Sequence, residues 1–300
     1  MSVGRVWKLV NDSLDVAAGS GRPGFNGESA PAADLNLGAI VDIAFTPSGQ
    51  LLIVDGYNRL RRLDPDGLVR TIAGSARPAA ATGLTGDGGP ATEASLSGPR
   101  QVFPFRDGTL WIRDLAGRHL RSITPDGLIR TLNRNFETSV NILPLPDGRP
   151  AAGTANRVYP ILDNGNLETG SAPFPPFTGT PRAIAPDGAL YFEGNTRPDQ
   201  RSPLVKVSNN RQQVIAGAPV AATVDGQAAP FGLWNPRNNS LLYASSLDGK
   251  TGILEARPGQ SPRFLVGGGS DVGDAEGKSA TDLAIFGIVS FTLDGQGNLI

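Results

Sequence analysis

No cysteine occurs in these 300 residues, and methionine and histidine appear once each. The absence of thiols excludes a disulfide framework, thiolate catalysis and a cysteine-ligated metal. A single imidazole, His119, cannot supply the cluster of ligands that zinc favours. Lysine is scarce as well, with four against 23 arginines, and the 28 acidic and 27 basic residues nearly cancel to a net charge of −1 at pH 7. That balance gives no reason to expect a polyanionic partner. No apolar run is long enough to span a membrane as a helix. The N-terminal MSVGRVWKLVNDS carries Arg5 and Lys8 but not the apolar stretch of a secretory signal. The expected setting is cytoplasmic or particle-associated, without membrane insertion.

Glycine and proline are abundant instead, at 39 and 25 residues. They fall in PSG, RDG, PDG and DPDG groups between apolar runs, which is turn chemistry and not low-complexity disorder. Those runs repeat. LLIVDGYNRLRRLDPDGLVRTIAG (51–74) returns as LWIRDLAGRHLRSITPDGLIRTL (110–132), and the linker TGDGGPATEASLSGPRQV (85–102) has weaker relatives at 14–43, 213–233 and 264–289. Self-similarity at a period of about 50 residues marks one supersecondary unit used many times.

Each unit divides into four short strands. In the clearest one these are 40–45, 51–55, 59–63 and 68–73, with turns at 46–49 and at Asp64-Pro65-Asp66-Gly67. Four-stranded antiparallel units of this length are propeller blades. The second blade is expected at 101–132, the third from 141, the fourth over 182–217 and the fifth over 231–267. A sixth is expected to be split, with strands at 288–293 and 298–300 completed by 5–10 and 14–19. The predicted fold is therefore all-β, a six-bladed propeller closed by its N- and C-terminal strands, in a single domain spanning 1–300.

These residues carry a resemblance. TIAG followed by GDGGPATxAxL, a strand ending in Asp, and NRLRRLDPDG resembles the NHL-repeat family of β-propellers, most closely over Leu60–Gly67 and Thr85–Leu96. The family includes RNA-binding propellers, and related propellers include gluconolactonase-like enzymes with several carboxylates on a divalent metal and amidating lyases with several histidines around zinc. The present chain lacks both constellations. Its first-strand residues expected at the channel mouth are Asp42, Gln101, Asn141, Arg182 and Ser290, with Gly232 in the fifth blade. This is a polar ring with one carboxylate.

Other motifs read as structure. Gly86-Asp87-Gly88-Gly89 lacks the Lys-Ser/Thr and following helix of a phosphate loop. The turn acids recur once per blade and would be spread around a ring, whereas calcium needs converging oxygens. Third-strand Arg59, Arg61, Arg62, Arg118 and Arg121 could form a basic face, but they belong to the repeat, where they can pair with neighbouring acids.

The expected function is a non-catalytic binding or assembly scaffold. Its loops, with candidates Tyr57, Asn58, Thr85 and Asp87, would meet a protein or a glycan, including as a structural component of a phage tail or similar particle. No metal or cofactor is expected, and nucleic acid is disfavoured. Two rivals remain: a metal-dependent lactonase or lyase acting at the channel mouth around Asp42, Asn141 and Arg182, and an RNA-binding propeller.

Overall fold

The computed structural model describes residues 4–75, 85–114, 118–136, 141–154, 156–170, 173–194, 204–209, 211–216, 223–224, 227–228, 232–235, 237–247, 250–257, 260–272, 275–285, 288 and 290–300. Among them, five antiparallel sheets of three or more strands form the blades of a propeller. The first runs inner to outer through Ile40–Phe45, Leu51–Asp55, Arg59–Leu63 and Leu68–Ala73, with Ser29–Pro31 added at its outer edge. The second uses Pro99–Pro104, Leu110–Asp114, His119–Ile123 and Ile129–Asn133. The third has three strands, Asn141–Pro144, Pro150–Gly153 and Val158–Pro160. Gly179–Ile184 and Gly232–Asn235 are the inner strands of the fourth and fifth. Inner strands of successive blades lie against one another from first to fifth.

The second strands show why stacking holds the fold together. Leu51–Asp55 and Leu110–Asp114 are buried at every position; in the first of them Leu52 and Val54 face the second blade, while Leu51 and Ile53 face Val6, Ala18 and Ile300. Such burial suits a continuous apolar run better than strict alternation. Leu52, Val54 and Leu60 of the first blade pack with Val102, Leu110 and Ile112 of the second, with linker residues Ala91, Ala94 and Leu96 in the same cluster.

The blade count corrects the sequence expectation from six to five. Among the described residues of 288–300, Leu293 and Leu299 form an isolated bridge outside any strand, and the N-terminal Val6–Val10 and Ser13–Ala18 make a two-stranded ribbon. The physical reason is pairing, because among the described residues the two N-terminal strands pair with each other and Leu9 reaches Leu299 by a backbone hydrogen bond, so no four-stranded sheet is assembled there. The ends still meet. Leu9 N–H donates to Leu299 O at 2.8 Å. Leu14 joins Phe291 and Leu299 against Leu242 of the fifth blade, while Val6, Ala18 and Ile300 pack on Ile43 and Ile53 of the first.

The turns follow their residues. Asp64 O accepts from Gly67 N–H at 3.0 Å, Asp66 Oδ1 accepts from Leu68 N–H at 3.1 Å, and Gly67 has φ +80°. Gly127 N–H, at φ +84°, donates to Thr124 O at 2.8 Å, while Leu128 N–H donates to Thr124 Oγ1 at 3.2 Å. A side chain there would meet nothing within 4 Å, so only the backbone conformation resists one. Gly67→Val and Gly127→Val are each expected to lower stability by about 1–2 kcal/mol. Denaturant midpoints identical to the parent would contradict the assignment.

No helix among the described residues is long and apolar enough to cross a membrane.

Candidate active site

Register fixes which inner-strand residues share one level. Asp42 lies across from Val54, Gln101 from Arg113, and Asn141 from Gly153, each partner being the fourth residue of its second strand. In the fourth blade that level is held by Thr180, across from Glu193. Arg182 is instead the extra residue of a bulge between Pro181 and Ala183, buried, with its Cβ 3.0 Å from where a Cβ on Gly232 would stand. Gly232 holds the level in the fifth blade, across from Tyr243, the fourth residue of Ser240–Leu247.

Asp42 is 3% exposed and tied on both oxygens. Oδ2 accepts from Val102 N–H at 2.9 Å in the next blade, and Oδ1 accepts from the Ser290 hydroxyl at 2.8 Å. Burial pushes its carboxyl up to about 7, against the opposing pull of the Val102 N–H, the Ser290 hydroxyl, the Ile43 N–H and the Arg113 charge. Gln101 makes the corresponding tie one blade on. Its Nε2 donates to Ile142 O at 2.8 Å and its Oε1 accepts from Ile142 N–H at 2.9 Å.

Arg113, 5% exposed, completes the group and is the residue that sequence reasoning missed. Its Nη1 donates to Gln101 Oε1 at 3.3 Å and Asn141 Oδ1 at 3.4 Å. Burial lowers it to about 10, with the Asp42 carboxylate opposing and Arg100 adding to the fall. The available signal was a charge inside the LWIRD run, at the position where the first blade has Val54.

The donor set does not suit a divalent metal. It offers one carboxylate, and the two amide oxygens already accept from a guanidinium that stands where a cation would. No group of three or more His, Cys, Asp or Glu able to hold a metal occurs among the described residues. His119 begins the third strand of its blade, and its Nδ1 is buried without a hydrogen-bond partner among the described residues. Burial lowers its basicity, and the charges of Arg121 and Arg134 lower it further.

The loop candidates and the third-strand arginines form a different structure, a clamp that fastens each linker to its blade. Arg61, wholly buried, donates to Thr71 Oγ1 and Gly27 O and pairs with Asp55 at 3.4 Å, while Glu28 pairs with Arg59 at 3.1 Å. The next blade repeats this. Arg121 donates to Ser95 O, Thr85 O and Asp87 Oδ1, and Asp87 also accepts from Thr131. Thr85 Oγ1 accepts from Ser95 N–H, and Asn58, in a left-handed conformation at φ +60°, accepts from Gly98 N–H. Thr85, Asp87 and Asn58 therefore hold the linkers, and the Gly88-Gly89 pair hydrogen-bonds to Ile129 of the outer strand. Tyr57 is the exposed member, at 42%, with its ring against Gly38. Arginines engaged in this way leave few charges for a phosphate backbone.

No protein-family model matches the sequence, and none of the curated proteins does. Solved structures do. Virginiamycin B lyase from Staphylococcus aureus is 14% identical, with a TM-score of 0.46 over 75% of this chain and 68% of that one. A gluconolactonase from Xanthomonas campestris is 16% identical, with a TM-score of 0.42 over 64% and 65%. The extracellular domain of BT4673 from B. thetaiotaomicron is 13% identical, with a TM-score of 0.51 over 99% of this chain and 36% of that one. Against the expectation of a non-catalytic scaffold, the structures sharing this fold include a lyase and a gluconolactonase. At such identities the likeness concerns the fold alone and does not single out the NHL repeat. The chain is an all-β propeller.

Proposed function

We propose that the chain is an enzyme of the lactonase or lyase type, acting on a small polar substrate at the channel mouth without a bound divalent metal. The observation that carries this reading is Asp42, a buried carboxyl held near neutrality beside a buried guanidinium. A carboxyl poised there exchanges protons efficiently at physiological pH. Asp42 is the proton carrier. Arg113 supplies fixed positive charge for an oxyanion developing on the substrate, where exclusion of water strengthens it. Gln101 and Asn141 orient that guanidinium through their amide oxygens. The propeller spans 1–300 as one domain in this reading, and the NHL-type motif is the linker clamp, built twice.

The test is a panel of lactones and small esters assayed in the presence of a strong chelator. Turnover that survives chelation is expected. No turnover on any member, or turnover seen only with an added divalent ion, overturns the reading.

A further inference from the structure

Asp42 does more than tie two blades. At the next interface Gln101 makes the same kind of tie to Ile142 with a neutral amide. A carboxyl is thus not needed for the tie, and burying one is costly. What Asp42 has and Gln101 lacks is a hydroxyl donating into it: Ser290 Oγ lies 2.8 Å from Oδ1. The other oxygen is locked by Val102 N–H at 2.9 Å, so the carboxyl cannot rotate away. Ser290 also accepts from Ile43 N–H at 3.4 Å, which sets its hydroxyl between a donor and the carboxylate. Asp42 is buried and Ser290 only half-buried, so the hydroxyl is the reachable member of the pair. A nucleophile bonded to a base, with the base oriented by a third group, is the arrangement that activates serine in acyl transfer.

We propose that Ser290 is a covalent nucleophile for lactones and small esters, with Asp42 as its base. This rests on the channel mouth being the enzyme site. Ser290 Oγ attacks the substrate carbonyl carbon while its proton passes to Asp42. The C–O bond to the leaving oxygen breaks, and that oxygen takes the proton from Asp42, leaving an ester on Ser290. Water then attacks this ester and gives a proton to Asp42. Ser290 Oγ departs and recovers that proton, and the product is a hydroxy acid, or an acid plus alcohol. Only substrate and water are consumed. A carboxyl near neutrality makes a base of about the strength imidazole supplies elsewhere.

The experiment uses the full chain and a small alkyl fluorophosphonate, with adducts located by peptide mass spectrometry. One adduct per chain at Ser290 is expected, absent in Ser290→Ala and formed at least about 10-fold more slowly in Asp42→Asn. Because the chain has no other cysteine, Ser290→Cys provides a second route. It should take up one acetyl group from p-nitrophenyl acetate, which guards against misreading a folding defect in the alanine variant. Lactone turnover that persists in Ser290→Ala, with no adduct on the parent, overturns the nucleophile and leaves the Asp42 reading standing. Neither turnover nor adduct in the parent overturns both.

Discussion

Asp42→Asn is expected to reduce kcat/KM by about two to four orders of magnitude, the usual contribution of a positioned proton carrier. The same substitution should make the protein more stable at neutral and alkaline pH. The ordinary aspartate value is 3.8, and burial holds Asp42 at about 7 in the folded protein. Between these values the folded state keeps a proton that the unfolded chain has released. Stability is therefore whole below about pH 4 and falls as pH rises through 7. A difference of that size corresponds to roughly 4 kcal/mol. Asparagine is isosteric, still accepts from Val102 N–H and cannot ionise. Urea melts at pH 5 and pH 8 should show the parent losing a few kcal/mol relative to the variant. Parallel losses in both proteins, or an undiminished kcat/KM, would contradict the role given to Asp42.

Arg61→Ala is expected to produce the largest loss of stability. Arg61 and Asp55 are both wholly buried and lie 3.4 Å apart. Asp55 Oδ1 also accepts from Gly38 and Tyr57 N–H, so the carboxylate anchors the entry to the inner strand. Removing the guanidinium strands that carboxylate and frees Gly27 O and Thr71 from their donor. Breaking a buried pair on one side costs about 3–5 kcal/mol. Denaturant midpoints would report it, and a loss below about 1 kcal/mol would show that the linker holds without the clamp. The pair at Asp114 and Arg121 differs in one respect. Asp114 Oδ2 has no hydrogen-bond partner among the described residues, and burial raises this carboxyl to about 6, against the Ser97 N–H and the Arg121 charge.

Much of the fold was legible because each strand carried its own local signal. The fully buried run LLIVD, the Pro-Asp-Gly turns and the third-strand arginines all sit where the repeat put them. The error in blade number came from treating Asn298–Ile300 and Arg5–Val10 as consecutive strands of one unit. The pattern of residue types matched, but Val6–Val10 pairs with Ser13–Ala18, and these segments pack with 291–300 against the fifth and first blades instead. The site was half legible. Asp42, Gln101 and Asn141 could be ranked from the repeat, since inner strands keep register with it. Arg182 could not, because a bulge inserts it beside Pro181 and moves the level to Thr180. Arg113 was not legible because it stands on a second strand, across from Gln101, and its charge reaches the group from there. The bond from Ser290 to Asp42 joins residues at opposite ends of the chain, a pairing that no local pattern encodes.

The most direct test of a proton-carrying channel mouth is the titration of Asp42 itself. Protein labelled with 13C at aspartate carboxyl carbons, titrated by NMR alongside Asp42→Asn to assign the resonance, gives the midpoint without any substrate. A midpoint near pH 7 is expected, displaced in Ser290→Ala because the hydroxyl no longer stabilises the carboxylate. A midpoint near the ordinary aspartate value of 3.8 would contradict the account, leaving Asp42 a permanently charged tie between two blades.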